Sequence, residues 1–212
     1  IYYLSLKKLT NKILNPKYNV LNNELKKIEI LKQKITSISN SKLSHIQKIY
    51  YLVNDCKKYG TLPFAGIARC AFISKNILDS LNLIGIISKK DLEDFYKSIH
   101  TISKQINHEY YKAKKNNSFK NFLINYGHLR PSTYSILTKN YKENYRNYFS
   151  KNVHNKNFLS KKKFKFSKYQ MRSINKLFKK NNIEISFQQF LIFAKNSIEN
   201  REYSKLIFTK SI

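Results

Sequence analysis

The chain has 212 residues and a formal net charge of +29, with 41 basic side chains against 12 acidic ones. That length suits one medium domain or two small ones, and two cysteines are too few for a disulfide framework or a zinc knuckle. Only five basic residues are arginine; the 36 lysines are spread along every segment, so the charge carries an electrostatic footprint for nucleic acid without the stripe that would specify one.

Helical periodicity runs through most of the chain. Leu4, Leu6, Leu9, Ile13 and Leu14 form a first apolar stripe that stops before Pro16. Leu21, Leu25, Ile28, Leu31 and Ile35 form a second. Asn40-Ser41 offers a cap for a helix over 43–58, where Ile46, Ile49, Tyr50 and Val53 recur at three- and four-residue steps. Gly60 is expected to end that helix, and Thr61-Leu62-Pro63 to open the next, which runs to about Leu83. The most apolar stretch, 65–87, is interrupted by Arg69, Lys75, Asn76 and Asp79, which marks a buried amphipathic helix and not a membrane span.

Ser88 with Asp91 three residues on is a capping-box start for a long helix reaching Lys115. Asp91, Glu93 and Asp94 fall in its first turns, where the helix dipole favours negative charge; that accounts for the acidic cluster without a metal. A short helix over 118–125 follows. From 135 to 165 the spacing fails, and an irregular crossing segment is expected. Ser167 with Gln170, and Ser186 with Gln189, open two further helices. No strand alternation is sustained. The expected fold is all-α, a multi-helix bundle (1–125), a motif loop and crossing segment (126–166), and C-terminal helices (167–212). The 16 tyrosines and 14 phenylalanines fall mostly on apolar stripes, which suits core packing better than base stacking.

The run Tyr126-Gly127-His128-Leu129-Arg130-Pro131-Ser132-Thr133-Tyr134 departs from the Lys/Asn/Ile/Tyr bias of its surroundings. Gly127 admits a positive φ, and Pro131 fixes its own φ while extending Arg130. A stiff bend presenting an imidazole, a guanidinium and two hydroxyls suits an anion, a phosphoryl group or a partner's carboxylate. His45, His100, His108, His128 and His154 show no metal-ligand spacing. Arg201 and Glu202 read as capping or salt-bridging residues of the last helix. The only methionine is Met171, and the chain stops inside the apolar-periodic segment 202–212, so both ends read as cuts in a longer polypeptide. Two thiols with no visible signal peptide fit a cytoplasmic protein.

Three segments in order, 56–69 (CKKYGTLPFAGIAR), 126–134 (YGHLRPSTY) and 201–210 (REYSKLIFTK), together resemble the central helical region of phosphoenolpyruvate synthase-like proteins, the pyruvate phosphate dikinase and PEP-utilising family. The resemblance covers the chain from about Asp55 onward; the first 50 residues match only in helical character. It implies a parent with an ATP-grasp domain using ATP and Mg, a swivelling domain with a phosphorylated histidine, and a small-molecule acceptor such as pyruvate. Within the chain it implies substrate contacts at His128, Arg130, Thr133 and Arg69, and motif-structural roles for Gly60, Pro63, Gly66, Gly127, Pro131, Ser132, Tyr134 and Arg201. His128 is not the phosphorylated histidine, which belongs to the swivelling domain. Ser132 stands where the family usually has glycine; a positive φ there would strain it by about 1 kcal/mol or more. The alternative reading is a basic all-helical nucleic-acid-binding module.

Overall fold

The computed structural model describes residues 2–131, 135, 137–149 and 164–211. The fold is all-α among these residues, with ten α-helices: α1 Tyr2–Leu14, α2 Val20–Asn40, α3 His45–Asp55, α4 Leu62–Leu83, α5 Lys89–Ser98, α6 Ile102–Lys115, α7 Lys120–Tyr126, α8 Tyr141–Phe149, α9 Lys168–Lys180 and α10 Phe187–Phe208. The last two form a helical C-terminal extension, and α10 runs back along α4 through the middle of the bundle.

Small side chains let α4 and α10 approach. Ser74 and Ser197, both fully buried, place their hydroxyls 3.1 Å apart, and each hydroxyl also donates to a carbonyl of its own helix. This satisfies two polar groups that would otherwise destabilise the core. On one side of the crossing lies an aromatic cluster from α9, α10 and the segment before α9, including Phe166, Phe178, Phe187 and Phe190. On the other, Ile28 and Leu31 of α2 pack with Ile67, Cys70 and Phe208. A third cluster, Tyr110, Phe122, Tyr126 and Phe149, joins α6, α7 and α8.

The capping boxes at Ser88, Ser167 and Ser186 form as the sequence predicts. Four boundaries differ. The cap of α3 is Ser44, boxed with Gln47, while Ser41 closes α2. Gly60 does not end a helix. α3 continues through a π-helical turn, Cys56–Thr61, straight into α4. Pro63 has no N–H to give the preceding turn, and the widened turn sits immediately ahead of it. The Thr61 hydroxyl, 3.3 Å from the Cys56 carbonyl and 3.2 Å from that of Lys57, supplies a donor there.

The predicted 88–115 helix is two helices, broken at an extended Ile99. Tertiary partners make the break favourable. Lys104 Nζ donates to the carbonyls of Tyr96 (3.1 Å), Lys97 (2.8 Å) and Ile99 (2.8 Å) at the end of α5. Two α10 carboxylates then accept backbone N–H groups at the start of α6, Glu199 from His100 (3.0 Å) and Glu202 from Ser103 (2.9 Å). Within the segment expected to be irregular, α8 forms behind an Asn140–Glu143 reciprocal cap, with a kink at Asn144.

Candidate functional site

The segment after α7 is shaped by close packing. Gly127 has φ −58 and ψ −29, a right-handed conformation, not the positive φ expected of it. A Cβ there would collide with the Leu123 carbonyl oxygen and lie 3.3 Å from Lys142 Cβ. Glycine is required because two backbones converge, not because of its φ. The glycine with a positive φ is Gly85 (+77°), in the turn after α4.

The start of α8 closes the loop. Tyr141 N donates to the Leu129 carbonyl (2.8 Å), and Lys142 N to that of Gly127 (3.0 Å). Arg130 Nε donates to the Thr138 carbonyl (2.8 Å), bracing the loop from within. His128 turns towards α10, with Nε2 3.2 Å from the Leu206 carbonyl oxygen. Pro131 is the last described residue of this run; Ser132, Thr133 and Tyr134 lie outside the described residues.

Burial holds the His128 imidazole below its ordinary pKa of 6.5; Lys210 adds to that shift, and the Leu206 carbonyl opposes it. A folded-state pKa below the unfolded one means that the unfolded chain binds the proton more tightly. The stabilisation is complete above about pH 6.5 and declines as the pH falls from there to the lower folded-state value. Melting curves between about pH 7.5 and 5 should therefore show a steeper acid-side loss for the wild type than for His128→Gln. Parallel curves would remove His128 from the acid response.

A cleft of about 360 Å³ opens between the loop, α6 and α10. Phe64, Ile102, Ile106, Leu129 and Leu206 supply its apolar lining; Arg130, Arg201, Lys205, Glu202, Ser103 and Tyr141 supply its polar lining. Glu202 is tied to the start of α6 by the backbone N–H and hydroxyl of Ser103 (2.9 and 3.1 Å), so its charge is directed to a helix N-terminus. The Arg201 guanidinium lies 5.0 Å from the centre of the Phe72 ring, a cation–π contact in place of the expected ion pair. Basic groups thus set the cleft's polarity. Burial also raises the Tyr141 phenol pKa, with Tyr148 adding to the shift.

Arg69 is exposed on α4 and is not among the residues lining the cleft. Gly60 and Gly66 serve packing: a Cβ on Gly60 would lie 3.0 Å from Phe208 Cβ, and one on Gly66 3.0 Å from Glu24 Cγ. Pro63 is buried. Ser103, Ile106 and Tyr141 had no local signal marking them as cleft residues; only the packing of α6 and α8 brings them there. Among the described residues, no three His, Cys, Asp or Glu side chains gather closely enough to hold a metal, and no helix is long and apolar enough to cross a membrane.

The segments 56–69, 126–131 and 201–210 meet in space. The Phe64 and Phe208 ring centres are 5.0 Å apart, Cys56 Sγ lies 3.9 Å from the Phe208 carbonyl oxygen, and His128 reaches the Leu206 carbonyl. Compared with family models, curated proteins and solved structures, the chain matches none.

Proposed function

We propose that this chain is the central helical domain of an ATP-dependent phosphotransferase resembling phosphoenolpyruvate synthase, and that the cleft beside Arg130 receives the acceptor. The observation that carries this reading is the convergence of three segments, far apart in sequence, around the end of α10. On this reading the acceptor is small and anionic, pyruvate or a relative. Arg130 and Lys205 neutralise its charge, and the apolar lining excludes water from its carbon body. His128 braces the loop against α10 and carries no phosphoryl group.

The cleft's one carboxylate is occupied by Ser103, so its donor set does not suit Mg. ATP, Mg and the phosphorylated histidine belong on this reading to an ATP-grasp domain and a swivelling domain of the same polypeptide. In that parent, Arg130→Ala should slow phosphoryl transfer to the acceptor by roughly 100-fold while leaving ATP-driven autophosphorylation within about twofold. Equal loss of both steps would assign Arg130 to folding alone. A reading frame with neither flanking domain would sink the proposal, and steep salt-dependent binding of RNA or DNA by the chain would favour the nucleic-acid alternative.

A further inference from the structure

Helix α3 is inverted relative to an ordinary amphipathic surface helix, which sends its apolar face to the core. Its contacts with α2 and the turn after it are polar. Lys48 Nζ donates to the Ser39 carbonyl (2.9 Å), and Asp55 pairs with Lys34 (3.0 Å). The apolar stripe of Ile46, Ile49, Tyr50 and Val53 faces outward, 81, 61, 64 and 41 % exposed. No residue of α3 is buried. The stripe is also held rigidly, by the Ser44–Gln47 capping box at one end and by unbroken continuation into α4 at the other. A contiguous apolar ridge on a fixed helix marks contact with another molecule.

Charge identifies the occupant. Residues 30–61 contain six lysines and a single carboxylate, Asp55, which Lys34 already neutralises. A second copy would set these lysines against their own equivalents, because a two-fold contact places a patch against itself, and each copy carries +29. A nucleic acid would meet the charge and leave four apolar side chains without partners. We infer that the outer face of α3 docks an acidic amphipathic helix of a partner protein. Its apolar seam packs along Ile46, Ile49, Tyr50 and Val53, and its flanking carboxylates meet the lysines on either side. This surface is independent of the phosphotransferase reading.

The test uses the 212-residue chain and a synthetic helical peptide of about 20 residues, with leucines at three- and four-residue steps and glutamates beside them. Calorimetric titration should show saturable micromolar binding that weakens as salt rises. Ile49→Ser combined with Val53→Ser should weaken it by at least about tenfold. Both side chains are exposed, so the melting curve should not move. Four results would each overturn the inference: no binding by the wild type; equal binding by the double variant; equally tight binding of a lysine analogue of the peptide; or sedimentation showing a dimer that the double variant abolishes. Adsorption to phosphatidylserine vesicles that the double variant abolishes, without peptide binding, would assign the face to lipid instead and likewise overturn it.

Discussion

Replacing Phe190 with alanine should cost about 3–5 kcal/mol and lower the thermal midpoint by roughly 10 °C. The ring is fully buried, edge-on to Phe178 at 5.7 Å and stacked on Phe187 at 5.9 Å. Phe187 is itself edge-on to Phe178 and to Phe166, so the four rings form one packed unit. Removing one leaves a cavity that its neighbours cannot fill without leaving their rotamers. A loss of that size is a large part of the 5–15 kcal/mol typical of a folded domain. Ile192, two residues on and 58 % exposed, is the control. Ile192→Ala should stay within about 0.5 kcal/mol of the wild type in the same urea titration. Similar losses at both positions would contradict the packing described for α10.

Gly60→Val should be the second large effect, a loss of roughly 3 kcal/mol. At an open helical site, replacing glycine with a residue bearing a Cβ usually helps by a few tenths to about 1 kcal/mol. Here the first added carbon already lies 3.0 Å from Leu31 Cδ2, 3.0 Å from Phe208 Cβ and 3.4 Å from Cys56 Sγ. Phe208 Cβ is fixed to the backbone of α10 and cannot swing away. Leu31 can be trimmed. In the double variant Gly60→Val/Leu31→Ala, the two losses should fall short of additivity by about 1 kcal/mol, because the cavity left by one receives the carbons of the other. Strict additivity in urea denaturation would show that the Leu31 contact is not the cause.

The helical character of the chain was legible in its sequence because three- and four-residue spacing needs only local information. So were three capping boxes, since Ser88, Ser167 and Ser186 bond within their own first turns. The break between α5 and α6 was not legible. It depends on Glu199 and Glu202, 99 residues away in sequence from the N–H groups they accept. The same holds for α8, whose aromatic side chains lack a helical stripe until Tyr110 and Phe122 provide a surface for Phe149. At the candidate site, the loop itself stood out by composition, and Arg130 does line the cleft. The reason for Gly127 was misjudged: a need for space and a need for positive φ look identical in a sequence. The outward stripe of α3 has a related lesson, since periodicity gives the width of an apolar face but not what covers it.

The π turn makes the rod from His45 to Leu83 unequal in its tolerance of length changes. Within a regular α-helix each residue advances the chain by about 100°, so losing one rotates every side chain upstream relative to those downstream. The turn at 56–61 carries a surplus residue, with the Leu62 N–H bonding back to the Lys57 carbonyl, five residues earlier. One residue removed there regularises the helix and leaves both flanking faces where they are. A chain varying in length among relatives can shed or gain a residue at this turn while Ile46 and Ile49 keep their outward aspect; anywhere else along the rod, the same change would turn that ridge away.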